Sequence, residues 1–179
     1  DKSTPKYKYK WILDMQLYIA LPLLVALLFI SLWHVSSVDP FGFGQWVKET
    51  FKFDLFEARA NTHSWHIVVA VFFVGLMVST IGTVTGHELV HRTWSPFSVS
   101  LGRWLLAFSF DANFSVEHVY GHHRYVATPD DPATAPRGRN VYQHVLISTW
   151  KGNVSAWKIE KARLARKKLN VWTYHNVCL

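Results

Sequence analysis

The chain has 179 residues, half of them apolar, with a formal net charge of +7, ten His and a single Cys. This is about one domain's worth of chain, and so apolar a composition excludes intrinsic disorder. A single Cys excludes an internal disulfide framework and cysteine-based zinc or iron–sulfur sites, so any metal here must be held by His and carboxylates.

Two stretches without charged residues predict transmembrane helices over about residues 15–36 and 64–87. Each is long enough to cross roughly 30 Å of hydrocarbon at about 1.5 Å per residue. Trp11 and Trp33 bracket the first stretch as interfacial anchors. The alternative is a pair of buried helices in the core of a soluble protein.

The basic residues predict the orientation. Residues 1–11 carry four Lys against one Asp, residues 151–168 carry seven basic residues against one Glu, and residues 34–64 are slightly acidic. By the positive-inside rule the first and last segments are cytoplasmic, so the second helix ends at the cytoplasmic face of the membrane. Because the charge lies in juxtamembrane blocks without a nucleic-acid-binding motif, we expect a lipid bilayer as partner and no nucleic acid.

Two histidine-rich motifs follow the second helix. His87 and His91 are four residues apart, so on a helix they share one face and can hold the same metal ion. His118 and His122 repeat that spacing, and His123 adds a neighbouring donor. We predict that these five are metal ligands, and that the five scattered His are not. Five imidazoles exceed what one zinc needs and favour non-haem iron, with two ions rather than one.

Glu88 and Glu117 each adjoin a motif His, and their spacing leaves open whether they bind metal or orient the imidazoles. The stretch between the motifs begins and ends on one face, so it predicts a re-entrant or interfacial hairpin over about residues 96–115, followed by a cytoplasmic part over about 116–179. Four apolar residues of this stretch are candidates for lining a substrate passage. They are Trp104, Leu105, Phe108 and Phe110.

The sequence resembles the membrane di-iron hydroxylase and desaturase superfamily, and most of all alkane 1-monooxygenases and the xylene monooxygenase hydroxylase component. The resemblance rests on GHELVHR at 86–92, EHVYGHH at 117–123 and RYVATPDDPAT at 124–134. It implies an all-α, multi-pass transmembrane fold with a cytoplasmic metal site, in a bacterial inner membrane. It also implies that the ligands to two non-haem iron ions include His87, His91, His118, His122 and His123.

The same resemblance implies hydroxylation of an alkane or methyl-aromatic C–H bond with O2, a hydrophobic substrate, and electrons from rubredoxin or a flavin–ferredoxin reductase. The superfamily's third His-rich motif is missing, so we expect an internal fragment, inactive alone. A fatty-acyl or carotenoid desaturase or hydroxylase of the same superfamily is the nearest alternative. A membrane zinc protease using the HExxH of residues 87–91, with Glu88 as general base, and a non-catalytic membrane protein are the others.

Overall fold

The computed structural model describes residues 8–179, which form helices and turns without a strand. The predicted all-α class is therefore confirmed for this part of the chain, while the prediction for residues 1–7 lies outside it. The described residues divide into two compact units, one that ends at Val84 and one over Thr85–Leu179. The α-helices in chain order are α1 (Lys10–Val35), α2 (Phe43–Phe51), α3 (Leu55–Ala60), α4 (Ser64–Met77), α5 (Gly86–Val90), α6 (Pro96–Phe108), α7 (Phe114–Glu117), α8 (His123–Tyr125) and α9 (Val141–Arg166).

Two helices are long and apolar enough to cross a membrane. One is α1, with 26 residues, and the other is the 27-residue run Ser64–Val90, which joins α4 to α5 through a π-helical segment, Val78–Thr85. Only 11% and 6% of the residues in their most apolar stretches are buried. A core helix of a soluble protein is mostly buried, so this exposed apolar surface favours contact with lipid.

In the first unit, a buried tryptophan fixes the turn that follows α1. Trp33 is 2% exposed, and its indole N–H donates to Asp39 Oδ1 at 2.7 Å. Phe43 of α2 and Phe56 of α3 meet the Trp33 ring edge-on, and the Arg59 guanidinium lies 4.9 Å from its centre. These contacts order the segment after α1 through aromatic burial and one buried hydrogen bond.

In the second unit, α5 and α6 pack at very short range. A Cβ placed on Gly102 would lie 2.9 Å from the carbonyl oxygen of Gly86, so the two backbones touch where the glycines face each other. Leu89, Leu105 and Leu106 are fully buried around this crossing. Residue 87 follows one of these glycines directly, so the first histidine motif is held against α6.

The stretch between the two motifs forms α6 and a turn. Ser95 caps α6 through its side-chain oxygen, which accepts from Ser98 N–H, and Pro96 begins the helix. The chain turns at residues 109–113, where Phe110 takes a positive φ of 59°, and α7 begins at Phe114. The predicted hairpin region thus consists of one 13-residue helix and a turn; its placement in a membrane stays a prediction.

The final helix, α9, packs against α7. It begins at an Asn140 cap, whose side chain accepts from Gln143 N–H at 2.9 Å. Its buried side chains lie four residues apart at Ala156, Glu160 and Leu164. A buried carboxylate on this face needs a partner, and Arg163 supplies one, its Nε donating to Glu160 Oε2 at 2.7 Å.

Candidate metal centre

Four imidazoles converge at the ends of α5 and α7. His87 lies in α5 and His91 directly after it, while His118 begins a π-helical segment, His118–His122, and His123 follows that segment. Their ligand nitrogens all lie within 4.8 Å of one another. The structure thus brings together four of the five predicted ligands.

The nitrogens are spaced like the ligands of one metal ion. His118 Nε2 lies 2.7 Å from His87 Nε2, 3.2 Å from His91 Nε2 and 3.0 Å from His123 Nε2. Two ligands that bind one ion at right angles, each at about 2.1 Å, are about 3.0 Å apart. A ring nitrogen of a neutral imidazole carries either one proton or one lone pair, so His118 Nε2 cannot form good hydrogen bonds to all three neighbours, whereas a bound cation can accept a lone pair from each ring. The donor set therefore fits an imidazole-bound ion such as iron.

Burial favours the neutral form of two of these rings, His118 and His91. Burial, followed by the neighbouring His87 and His123, lowers the pKa of His118 to about 3. Burial and His87 also lower the pKa of His91. A metal ion binds only neutral imidazole, so protons compete weakly with a metal ion for His118 and His91 near neutral pH.

The π-helical segment decides which histidines pair. On an α-helix, residues five apart point about 140° away from each other, and residues four apart share a face. In this segment His123 N–H bonds to His118 O, the i to i+5 pattern of a π-helix. The wider turn brings His123, rather than His122, to the His118 nitrogen. Sequence spacing alone pairs His118 with His122, because that spacing assumes an α-helix. The π-helical segment cannot be recognised from the spacing.

His122 lies beside the cluster and has a carboxylate partner. Its ring stacks on His118 with centres 5.2 Å apart, and its Nδ1 lies 2.9 Å from Oδ2 of the buried Asp131. Although burial raises the pKa of Asp131, hydrogen bonds from Thr134, Ala133 and His122 outweigh it and hold the pKa below its ordinary value. The sequence analysis assigned Asp131 no role. The one feature that could have drawn attention to it is that Asp131 belongs to TPDD at residues 128–131, within a motif that carries the family resemblance.

The two glutamates of the motifs have different surroundings. Glu117 is 7% exposed, and its Oε1 has no hydrogen-bond partner among the described residues. Burial, with the nearby Asp131 as the next cause, raises its pKa. The Glu88 side chain is 55% exposed and lies 3.6 Å from Arg92 Nε.

A cavity of about 460 Å³ adjoins the cluster. Its walls include His87, His118, His122 and Glu117, and α9 contributes Thr149. None of the four passage candidates is among the residues that line this cavity. Leu105 is fully buried, whereas Trp104 and Phe110 are 62% and 98% exposed and Phe108 is partly buried, so their role stays a prediction.

The five scattered histidines lie outside the four-residue cluster. His34 Nε2 is 2.9 Å from Thr62 Oγ1, and His66 Nδ1 accepts from the backbone N–H of His63. His144 and His175 are on α9 and near the end of the chain.

Residues 63–177 match the family model described as fatty acid desaturase. The chain belongs to the fatty acid desaturase family. The resemblance to this superfamily predicted from the histidine motifs is therefore confirmed, and the four-His cluster occupies the matched part of the chain.

Curated relatives narrow the similarity within the family. The chain is 39% identical over 107 residues to alkane 1-monooxygenase 1 of Pseudomonas aeruginosa, and 33% identical over all 179 residues to alkane 1-monooxygenase 1 of Alcanivorax borkumensis. The chain is also 37% identical, over 91 residues, to the xylene/toluene monooxygenase hydroxylase component XylM of Pseudomonas putida. The matched parts cover 59%, 100% and 50% of this chain, but only 28%, 38% and 24% of those relatives.

Proposed function

We propose that this chain provides a non-haem di-iron centre of a membrane enzyme that hydroxylates a C–H bond of an alkane or a methyl-aromatic hydrocarbon with O2. The convergence of four imidazole nitrogens within 4.8 Å carries this proposal. Family membership and the similarity to alkane and xylene monooxygenases supply the reaction class.

The proposed ligands to one ion are His87, His91, His118 and His123. His122 lines the adjoining cavity and is the proposed ligand to the second ion. Glu117, whose Oε1 has no hydrogen-bond partner among the described residues, lines the same cavity. Bound iron supplies the activation of O2. Imidazole-rich sites suit iron, and the absence of cysteine from the cluster agrees with a non-haem, non-sulfur centre.

The substrate is proposed to be a hydrophobic small molecule that reaches the centre from the bilayer. The exposed apolar faces of α1 and of the run Ser64–Val90 would lie in lipid, where such a molecule partitions. We retain Trp104, Leu105, Phe108 and Phe110 as proposed passage residues, since all four belong to the α6 region between the two motifs.

The centre is proposed to face the cytoplasm of a bacterial inner membrane, with rubredoxin or a flavin–ferredoxin reductase as electron donor. The basic end of α9 is the proposed docking surface for an acidic carrier. Arg163 is engaged with Glu160, so Arg166 and Lys167, both exposed, are the residues to test. Charge reversal at these two positions should slow electron transfer in a salt-dependent way.

The experiment is product analysis with membranes that contain the full-length protein to which this chain is expected to belong, together with rubredoxin and its reductase, under ¹⁸O2. An alkane, p-xylene and a fatty-acyl substrate are supplied separately. The proposal predicts ¹⁸O-labelled alcohol from an alkane or p-xylene, and none with His118→Ala. An unsaturated acyl product without labelled alcohol would replace it with the desaturase alternative.

A further inference from the structure

Asp131 is a buried carboxylate inside a loop that folds around it. Its side chain is fully buried, and it accepts hydrogen bonds from Ala133 N–H at 3.0 Å and from the Thr134 hydroxyl. A third donor is His122, whose Nδ1 lies 2.9 Å from Oδ2. A buried carboxylate is costly unless its oxygens are satisfied, and here three donors satisfy it.

The loop of residues 127–134 holds this carboxylate in place. Thr134 Oγ1, while donating to Asp131, accepts from Ala127 N–H at 3.0 Å. Asp131 N–H bonds to Thr128 O at 3.3 Å, and Thr134 N–H bonds to Asp131 O at 3.2 Å. Ala127 adopts a positive φ of 65°, a conformation that costs a non-glycine residue free energy. The loop tolerates this strain and keeps the carboxylate buried.

The pairing fixes which nitrogen of His122 is free to bind. The two loop donors stabilise Asp131 as an ionised carboxylate, which has no proton to donate, so Nδ1 of His122 is the donor and carries the proton. The lone pair of His122 is then on Nε2. The ring itself stacks on His118 and lines the cavity beside the four-His cluster.

We propose that Asp131 is a positioning residue, which holds His122 with its Nε2 lone pair ready to bind a metal ion in the cavity next to the four-His cluster. This inference rests on the proposed metal centre. A carboxylate behind a ligating imidazole sets its tautomer and raises its basicity, and loss of such a partner typically weakens metal binding about 10- to 100-fold.

The first test is a Co²⁺ titration of the detergent-purified protein, followed by visible absorption. Asp131→Asn is compared with Asp130→Asn, the same substitution at the neighbouring exposed residue. We expect Asp131→Asn to weaken one Co²⁺ binding step about 10- to 100-fold and Asp130→Asn to match the wild type. Equal affinities and spectra in all three proteins would overturn the proposal. A wild type that binds no Co²⁺ would instead contradict the proposed metal centre.

A double-mutant comparison separates positioning from general support of the fold. If Asp131 acts through His122, Asp131→Asn causes no additional loss of Co²⁺ affinity in a His122→Ala background. An equal additional loss in that background would show that Asp131 acts elsewhere and would overturn the proposal. Thr134→Val keeps the carboxylate but removes one donor, so we expect it to weaken the same binding step to a smaller degree.

A measurement without a substitution at Asp131 covers the case in which Asp131→Asn does not fold. The ¹⁵N spectrum of metal-free, histidine-labelled protein reports which ring nitrogen carries the proton, with His122→Gln used for assignment. We expect His122 to be protonated at Nδ1 and hydrogen-bonded there. Protonation at Nε2 alone would overturn the proposal.

Discussion

His118 is the residue on which the site converges. Its Nε2 lies within 3.2 Å of the Nε2 atoms of His87, His91 and His123, and its pKa is lowered to about 3. The other three rings do not share so many close contacts. One imidazole therefore links the motif at α5 to the motif that follows α7.

Glu88 distinguishes an iron centre from the protease alternative. In a zinc protease it would be the general base, whereas here its side chain is 55% exposed and lies 3.6 Å from Arg92. We expect Glu88→Gln to retain the metal content of the wild type and the labelled alcohol product. His91→Ala, which removes a nitrogen of the cluster, should lose metal. Elemental analysis and product analysis of the two variants, made in the full-length protein, check this, and a wild type that holds zinc and forms no labelled alcohol would favour the protease assignment.

The sequence predicted the residues of the site better than their roles. Spacing and the paired motifs were enough to select the histidines that cluster, because residues four apart share a helical face. The spacing could not show which histidines contact each other. A π-helical turn brings His123 to His118, while His122 contacts Asp131. Asp131 was not selected, since nothing in the residue spacing shows that the loop of residues 127–134 folds around a carboxylate.

At the scale of elements, the crossing of α5 and α6 holds the first histidine motif. An added Cβ at Gly102 would lie 2.9 Å from Gly86 O, whereas one at Gly75, in α4, would meet nothing within 4 Å. We expect Gly102→Ala to lower the free energy of unfolding by roughly 1–3 kcal/mol through overpacking, and to weaken metal binding because His87 moves.

Gly75→Ala is the matched control, and it should leave stability unchanged or slightly raise it. Thermal unfolding in detergent and a Co²⁺ titration measure the two effects. Equal Co²⁺ affinity in the two alanine variants would show that the close crossing of α5 and α6 does not hold the first histidine motif.

The C-terminal segment is attached to α9 by an ion pair in which Glu160 is buried and Arg163 is partly exposed. Glu160 accepts from Arg163 and from Val177 N–H at 2.9 Å, and Arg163 donates to His175 O at 2.7 Å. The residue spacing of this basic helix places Trp150, Val154, Trp157 and Leu164 roughly on one side. The structure buries Leu164 but leaves Trp150 74% exposed, because the packed face is set by Glu160 and its partners.

The attachment should depend on pH. The Arg163 hydrogen bond is the largest cause that lowers the pKa of Glu160 below its ordinary value of 4.5. Because the folded pKa is the lower one, the stabilisation is complete above 4.5 and is lost as the pH falls through the folded pKa. Hydrogen exchange of residues 170–179, corrected for intrinsic rates, should show constant protection at neutral and mildly acidic pH and loss in stronger acid.

Glu160→Gln should lower the protection of that segment by roughly 1–3 kcal/mol at neutral pH and abolish its pH dependence, because a charged acceptor is lost. Glu57→Gln, at an exposed carboxylate of the first unit, is the control and should change neither. Unchanged protection in Glu160→Gln would mean that other contacts hold the segment.

For the whole molecule, the sequence predicted the class of protein from two apolar runs and two motifs. Both runs lie within helices long enough to span a membrane, and the family assignment agrees with the motifs. The proposed orientation follows from the asymmetric distribution of Lys and Arg between the segments that flank these runs.

The iron content of the purified protein tests the central claim most directly. We expect bound iron, with two ions as the proposed full complement, that is lost in His118→Ala and kept in His175→Ala, whose ring lies outside the cluster. Elemental analysis of the three proteins, produced in parallel at full length in iron-replete cells, gives the answer. Zinc in place of iron in the wild type, or iron retained in His118→Ala, would contradict the account.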